Sequence, residues 1–204
     1  MMTGFTFESV INDCGTEVSY RSYYDGIPCD HIKVDGLLAK RRSALELILS
    51  DICECLDIFE LITFDVQKKY SKFLYKAFVI TYGKCFASGE KRGTSLKAKP
   101  VFKGNEKLFQ KHKQVIKTRN KYVAHSDSSN YEVTEVYLAS FRNQSEVFTP
   151  TTKYSYPTGY SLVEEENLVI HVYEHIKEQI SKIDNVILHQ RCITTPNLQT
   201  QSLK

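Results

Sequence analysis

The chain has 204 residues, of which 42% are hydrophobic and 12% aromatic, and its 27 basic and 24 acidic side chains give a formal net charge of +3. This composition excludes a histone-like polycation and a disordered acidic chain, and the length suffices for one sizeable hydrophobic core. Since no apolar run approaches the roughly 18 residues of a membrane span, and the first residues lack the regions of a secretory signal, we expect a cytoplasmic protein without a membrane partner.

Two amphipathic helices are predicted in the first half of the chain. Over residues 42–59, apolar side chains recur at steps of three and four and form one stripe: Leu45, Ile48, Leu49, Ile52, Leu56 and Phe59. Residues 66–87 form the second predicted helix, whose expected buried side carries Val66, Tyr70, Phe73, Leu74 and Ala77. Residues 1–40 contain a turn signal at 23–28, which includes Asp-Gly and Pro, and no element is assigned to them.

A polar linker and a third helix follow. Residues 88–104 hold three Gly or Pro breakers before the terminal glycine and five basic side chains, and a linker of this length is either functional or mobile. Asn105 then supplies an N-cap. The stripe of the helix behind it contains Leu108, Phe109, His112, Val115, Ile116, Arg119, Tyr122 and Val123.

The last third of the chain switches from helical to strand periodicity and back. Alternating side chains predict a β-hairpin at about 131–156, with 147–148 and 154–156 as partners of its first strand. A capping-box pattern at 161–164 then begins a final helix that extends to about His189.

These elements predict a mainly α fold, namely a helical bundle with a small β-hairpin insertion. No linker or change of composition marks a second domain, so we predict a single domain over residues 1–190. The polar residues 191–204 are expected to form a flexible tail.

The charge of the chain is unevenly distributed. Residues 66–121 hold 16 of the 27 basic side chains and two of the 24 acidic ones, for a net charge of +14, while the rest of the chain carries −11. A segment of this charge attracts polyanions through phosphate contacts and counterion release. The alternative is a solvated face on which lysines happen to cluster.

Arg119 is the anomaly of the third helix, because it occupies a position of the apolar stripe where leucine is expected. A buried guanidinium needs a carboxylate partner or a phosphate ligand, since an unpaired buried charge is costly. Two explanations remain open: a phosphate ligand, or a salt bridge to an acid of another helix such as Glu46 or Asp51.

The end of this helix resembles the signature of the HEPN superfamily, in which an arginine and a following polar residue precede a histidine by four to six intervening positions. Arg119, Asn120 and His125 match that pattern with five residues between arginine and histidine. The string 119–127 resembles abortive-infection-type HEPN proteins, and residues 82–86 resemble their second helix. The resemblance covers roughly residues 42–127.

The resemblance implies a HEPN-like bundle that commonly dimerises, with the signature helices meeting at a shared cleft. Many members of the superfamily are metal-independent endoribonucleases, and others bind RNA or nucleotides without catalysis. Six residues at 100° each would put His125 about 120° around the helix from Arg119 and roughly 9 Å along it. Because one helix then brings the two side chains together poorly, this spacing favours a composite site in a homodimer.

The implied reaction assigns a role to each residue of the motif. His125 would act as general base on a ribose 2′-hydroxyl or as acid toward the leaving 5′-oxygen. Arg119 would stabilise the charge that develops on the phosphate, and Asn120 would orient the phosphate or His125. The RNA backbone would be held by three lysines of the same segment: Lys113, Lys117 and Lys121.

No cofactor or metal is expected. The six cysteines lack the CxxC spacing of a zinc or redox site and are predicted to be free thiols. His171 and His175 have the spacing of a metal pair, but no third ligand or HExxH context accompanies them, so two surface histidines are the preferred interpretation.

Three functions are compatible with these features. The first is a homodimeric, metal-independent endoribonuclease, toxin-like or active in phage defence, with a possible antitoxin partner protein. The second is a non-catalytic HEPN module that binds RNA or a protein. The third is a structural bundle in which Arg119 is paired with an acid.

Overall fold

The structure is a computed structural model, and it describes residues 4–11, 18–65, 69–87, 94–120, 132–134, 137–141, 144–148, 151–153 and 162–194. The chain divides into two compact units, residues 1–39 and 40–204. Within the described residues the structure is mainly helical. The single domain predicted over 1–190 stays a prediction, because this division does not establish whether either unit folds alone.

The first unit contains a three-stranded antiparallel sheet in the order β1-β2-β3, formed by β1 (Phe5–Ile11), β2 (Val18–Tyr24) and β3 (Ile27–Cys29). Asp25 and Gly26 join β2 to β3 with φ angles of 50° and 81°. Two consecutive positive φ values suit the tight turns of β-hairpins, for which Asp-Gly is a preferred pair. The turn predicted from the sequence is therefore confirmed, whereas no strands had been assigned beside it.

Among the described residues, five helices follow β3: α1 (Leu37–Phe64), α2 (Ser71–Phe86), α3 (Ala98–Val101), α4 (Glu106–Thr118) and α5 (Val163–Thr194). Asn105 caps α4 as predicted, since its side-chain oxygen accepts the backbone N–H of Leu108 at 3.1 Å. The last helix extends beyond its predicted end near His189, as far as Thr194. Residue 161, which opens the predicted capping box, lies outside the described residues.

In the parts of the chain between α4 and α5 that the structure describes, there are four short strands. The inner pair joins β5 (Tyr137–Phe141) to β6 (Gln144–Phe148), and the outer pair joins β4 (Glu132–Thr134) to β7 (Thr151–Lys153), both antiparallel. Phe148 pairs with Tyr137, which confirms 147–148 as part of the second strand of the insertion. The other predicted partner, 154–156, lies outside the described residues.

The core of the second unit is formed by the apolar stripes of the long helices. Ring contacts join α1 to α2, with the centroids of Phe59 and Phe78 4.7 Å apart. Fully buried side chains stabilise the fold by roughly 1.5–3 kcal/mol each when they are large and apolar. In α5 the buried set is regularly spaced and consists of Leu168, Val169, Val172, Ile176, Ile180 and Ile183.

The prediction of which face of the second helix is buried was wrong. Tyr70 precedes α2 and is 56% exposed, and Phe73 is 67% exposed. The face that is buried carries Tyr75, Phe78, Val79, Tyr82 and Cys85. The segment is apolar on two sides, so its periodicity alone does not identify the side that packs against other helices.

The carboxylate of Asp65 caps the start of α2, since it accepts hydrogen bonds from the backbone N–H groups of Lys69, Tyr70 and Ser71. None of the helices in the part of the chain that the structure describes is long and apolar enough to cross a membrane.

Candidate functional site

Arg119 and Asn120 lie at the C-terminal end of α4, where the helix continues as a π-helical turn. The backbone N–H of Arg119 is shared between the carbonyl groups of Val115 and Ile116. The guanidinium Nη1 donates to the side-chain oxygen of Asn120 at 3.0 Å. Arg119 is half-buried and Asn120 is exposed, so the pair presents an amide and a planar cation at the surface.

The side chain of Arg119 lies against Gly83 of α2. A Cβ atom at position 83 would be 3.0 Å from Cγ, 3.2 Å from Cδ and 3.4 Å from Nε of Arg119. These distances are close to or below ordinary van der Waals contact, so any other residue at position 83 would displace the arginine. Gly83 is therefore the residue of α2 that makes room for the aliphatic part of Arg119.

The two acids considered as partners of Arg119 are engaged elsewhere. Arg42 forms an ion pair with Glu46, one turn along α1. Lys84 Nζ lies 2.8 Å from the buried carboxylate of Asp51. Within the part of the chain that the structure describes, the polar contact of the guanidinium is the hydrogen bond with Asn120, and no acid pairs with it.

An open groove of about 950 Å³ extends from Arg119 along α4. Its walls come from the end of α2, from the segment that includes α3 and from α4. The lining residues are Gly83, Phe86, Ala87, Leu96, Lys97, Ala98, Lys99, Pro100, Phe109, His112, Ile116, Arg119 and Asn120. The volume is near the upper end of the range for sites that hold small ligands.

The wall of the groove formed by the segment that includes α3 is hydrogen-bonded to the end of α2. The backbone N–H of Leu96 donates to the carbonyl of Cys85 at 3.0 Å, and the Leu96 side chain is buried. That bond satisfies one of the carbonyl groups left unpaired at a helix end. The segment is also attached to α5, because His171 Nε2 donates to the carbonyl of Val101 at 2.9 Å. His171 is thus a half-buried structural side chain and not the surface histidine expected from the sequence.

Aromatic rings form the inner part of the groove. The imidazole of His112 lies 4.4 Å from the ring of Phe86 and 5.0 Å from that of Phe102, between centroids. Phe109 continues the cluster, 6.1 Å from Phe102. Phe86 and Phe109 are half-buried, so part of each ring is accessible, while His112 and Phe102 are buried.

His112 is neutral at physiological pH. Burial, with a smaller contribution from the charge of Lys113, lowers the pKa of its imidazole to about 4. Its Nδ1 lies 2.9 Å from the hydroxyl of Tyr82, a phenol whose pKa burial raises well above its usual value. We assign the shared proton to Tyr82, because the buried phenol would otherwise have no acceptor among the described residues. His112 then carries its own proton on Nε2.

Some lysines of the basic segment form ion pairs with acids of α5. Lys111 lies 2.9 Å from the buried Glu165 and 3.3 Å from Glu164, which also pairs with Lys107. Burial alone would lower the pKa of Lys111, but its contacts with Glu165 and Glu164 raise it. These two lysines therefore join α4 to the start of α5, and part of the +14 charge is neutralised within the bundle.

Other lysines remain at the surface near the groove. Lys97 and Lys99 line it and are exposed. Lys113 and Lys117, predicted to bind RNA, are exposed on the adjoining face of α4, and the Nζ of Lys113 lies 4.1 Å from the centroid of Phe109. No acid among the described residues forms an ion pair with any of these four lysines. They supply the positive charge that the groove presents.

The structure brings together part of the predicted site. Arg119 and Asn120 are at one end of the groove, Lys113 and Lys117 flank it, and His125 and Lys121 lie outside the described residues. The prediction that placed His125 about 120° from Arg119 assumed a regular α-helix, whereas α4 ends at Thr118 and continues as a π-helical turn. Where His125 lies relative to Arg119 thus stays a prediction.

The residues of the groove that had no assigned role in the sequence include Gly83, Phe86, Lys97 and Lys99. The composition of 88–104, rich in breakers and basic side chains, was the available signal for the two lysines. A glycine inside the amphipathic α2 was the signal for close packing at position 83. Neither signal identifies Arg119 as the neighbour.

No group of three or more histidine, cysteine or acidic side chains suited to a metal ion occurs within the described ranges. No protein-family model, curated protein or solved structure matches the chain. The resemblance to the HEPN superfamily therefore depends on the residues of the motif and of the helix that resembles its second helix.

Proposed function

We propose that the protein is a metal-independent endoribonuclease of the HEPN type, with a composite site in which Arg119 and His125 come from two subunits of a homodimer. The observation that carries the proposal is the environment of Arg119. Its guanidinium is half-buried beside Gly83, has no acidic partner among the described residues and opens onto a groove lined by further cations. A phosphate group is a ligand whose charge and geometry suit such a cation.

The proposed reaction is transesterification of RNA. His125 removes the proton of a ribose 2′-hydroxyl, and the 2′-oxygen attacks the adjacent phosphorus. The bond from phosphorus to the 5′-oxygen breaks and this oxygen takes a proton from solvent, while the imidazolium of His125 returns its proton to solvent. The products are a 2′,3′-cyclic phosphate and a 5′-hydroxyl. The reaction involves no redox change and needs no co-reactant.

Arg119 stabilises the charge of the pentavalent phosphorane in this scheme. A planar guanidinium donates two parallel hydrogen bonds to two phosphate oxygens, which an ammonium group cannot do. Asn120 holds the guanidinium from one side through its amide oxygen, so the amide N–H groups remain available to a phosphate oxygen. Removal of one donor of this kind typically costs about 10²–10³-fold in rate.

Cleavage in the presence of EDTA is the direct test. We expect purified protein to cleave RNA in the presence of excess EDTA, because acid–base catalysis by histidine needs no metal ion. Arg119→Lys and His125→Ala should each lose about 10²-fold or more of the cleavage rate. Lys177→Gln, at an exposed position of α5 that does not line the groove, is the control and should retain full activity.

The outcome also separates the alternatives. RNA binding without cleavage by the unmodified protein would support the non-catalytic HEPN module instead. Cleavage that Arg119→Lys and His125→Ala leave unchanged would come from a contaminant or from other residues, and would overturn the assignment of the site.

A further inference from the structure

The three strands of the first unit place their large apolar side chains on one face of the sheet. Side chains of directly paired residues, and of residues two apart along a strand, point to the same face. Tyr24 of β2 pairs with Phe5 of β1 and with Ile27 of β3, so these three side chains share a face. The register puts six large apolar residues there, which define what we call the apolar face: Phe5, Phe7, Ile11, Tyr20, Tyr24 and Ile27.

The opposite face of this sheet is polar. It carries Glu8 and Arg21, which are paired across β1 and β2, and Tyr23, whose hydroxyl donates to the Glu8 carboxylate at 3.1 Å. The other described side chains of the apolar face are uncharged: Ser9, Ser22 and Cys29. The sheet is therefore amphipathic, and one face suits water while the other suits a second apolar layer.

The six residues of the apolar face are open to solvent. Their exposed fractions range from 48% for Tyr24 to 71% for Phe7. Since side chains of this size have roughly 150–250 Å² of surface each, the six together expose on the order of 700 Å². The largest apolar patch of a typical monomer is about 300–600 Å², and larger patches mark interaction sites.

Contacts within the sheet fix the shape of the apolar face. The backbone N–H of Gly4 donates to the carboxylate of Asp25 at 2.7 Å, and the N–H of Asp25 donates to the carbonyl of Gly4 at 3.1 Å. These bonds join the start of β1 to the turn between β2 and β3. On the apolar face the rings of Phe5 and Tyr24 lie edge to face, with centroids 4.9 Å apart. A surface that is already ordered loses less entropy on binding.

We propose that the apolar face packs against the apolar face of a second copy of the chain, in a two-fold symmetric interface. Two such sheets form a two-layer sandwich about 10 Å thick, with strand directions within about 30° of each other. The inference does not rest on the proposed nuclease, whose described residues lie in the second unit. The first unit also lies outside the residues that resemble HEPN proteins.

Area and charge both favour a second copy as the occupant of this face. Packing face to face removes on the order of 1,400 Å² from water, counting both copies, which is within the roughly 1,200–2,000 Å² of a standard protein interface. A two-fold interface brings the same patch from each copy, so the two surfaces are equal in size and chemistry. A charged partner would instead bury its charges against uncharged side chains, where nothing offsets their desolvation.

Photo-crosslinking identifies what covers the apolar face. The photoreactive amino acid p-benzoylphenylalanine replaces Phe7 in the whole chain, and in the control it replaces Tyr23 on the opposite face. Isotope-labelled and unlabelled protein are mixed and equilibrated before irradiation, so that a cross-link between copies joins a heavy peptide to a light one. We expect position 7 to cross-link to residues 5–29 of a second copy, and position 23 to give no cross-link between copies.

Sedimentation equilibrium measures the strength of the contact. Phe7→Thr and Ile11→Thr each replace an apolar side chain by a polar one that suits a β-strand, and each should raise the dissociation constant of self-association about ten- to a hundredfold. Val10→Thr makes a similar change on the opposite face of β1, next to Ile11, and should leave the constant unchanged. Thermal unfolding of each variant checks that the fold is retained.

Two kinds of result would overturn the inference. The first is a cross-link from position 7 to another part of its own copy, or no cross-link at all. The second is a dissociation constant that neither Phe7→Thr nor Ile11→Thr changes. Neither measurement depends on cleavage of RNA, so the inference can fail while the proposed nuclease survives, and the reverse.

Discussion

Gly83 of α2 faces the side chain of Arg119 at the C-terminal end of α4, and the arginine lies in the space that a side chain at position 83 would occupy. A Cβ atom would stand 3.0 Å from Arg119 Cγ. The guanidinium is consequently held beside α2 at the mouth of the groove. This close approach joins two of the helices that the resemblance to HEPN proteins covers.

Gly83→Ala tests this contact. Alanine has a helix propensity about 1 kcal/mol more favourable than that of glycine, so we expect the helix to form at least as well. The new methyl group must push Arg119 away by a few tenths of an ångström or more, and cleavage of RNA should fall about tenfold, since small displacements of a catalytic group are costly. Cleavage rates and thermal unfolding curves of the same preparation give the two readouts.

A Gly83→Ala variant that cleaves at the full rate would show that the position of Arg119 against α2 is not what catalysis requires. Ala87→Gly is the matched control. Position 87 also lines the groove but lies just beyond α2, so this change leaves the contact between Gly83 and Arg119 in place.

The composite site is tested by mixing two inactive variants. Arg119→Ala and His125→Ala, unfolded together and refolded as a mixture, should form mixed dimers that each contain one intact pair of Arg119 and His125. Statistical mixing then predicts about a quarter of the unmodified activity, while each variant alone stays inactive. No recovery, with mixed dimers demonstrated by two different affinity tags, would argue for a site within one subunit.

Lys111 is expected to stabilise the fold, unlike its neighbour Lys107. Its side chain is 18% exposed and pairs with Glu165, whose side chain is 5% exposed. Lys111→Met therefore removes the positive charge that pairs with the buried carboxylate of Glu165. We expect a loss of about 2–4 kcal/mol in the free energy of unfolding, measured by urea denaturation.

Lys107→Met provides the comparison for that measurement. Lys107 is 81% exposed and its partner Glu164 is 52% exposed, so solvent screens the pair. The variant should unfold at the same urea concentration as the unmodified protein. Equal midpoints for both variants would mean that Glu165 is not held by Lys111.

The neutral state of His112 predicts a dependence of stability on pH. Its pKa is about 4 in the folded protein against 6.5 for an unperturbed imidazole, so the unfolded chain binds more protons between these values. The contribution is therefore fully present above pH 6.5 and decreases as the pH falls towards 4, by on the order of 3 kcal/mol. Urea denaturation at pH 7.0, 5.5 and 4.5 measures it.

Other titrating groups change over the same range, so a reference variant is needed. His112→Phe combined with Tyr82→Phe removes the titrating ring and its hydrogen-bonded partner together, and avoids a buried hydroxyl without a partner. The difference in stability between the unmodified protein and this variant should become smaller as the pH falls. A difference that stays constant from pH 7.0 to 4.5 would mean that folding does not lower the pKa of His112.

The sequence was sufficient for some elements because their signals are local. Asn105 begins α4 as predicted, since an N-cap needs only the three residues that follow it. The Asp-Gly turn between β2 and β3 is equally local. The prediction of the buried face of α2 was wrong for the opposite reason. Both sides of this helix are apolar, and packing against the surrounding helices determines that Phe78 is buried and Phe73 exposed.

The amino-acid sequence was enough to predict the helical character of the second unit, the hairpin insertion, the basic segment and the arginine in an apolar stripe. The three-dimensional packing was needed to show that Gly83 faces Arg119, that Lys97 and Lys99 line the same groove, and which lysines pair with acids. The physical reason is that periodicity reports which face of a helix is buried. The residues that meet that face are set by packing between segments far apart in the chain.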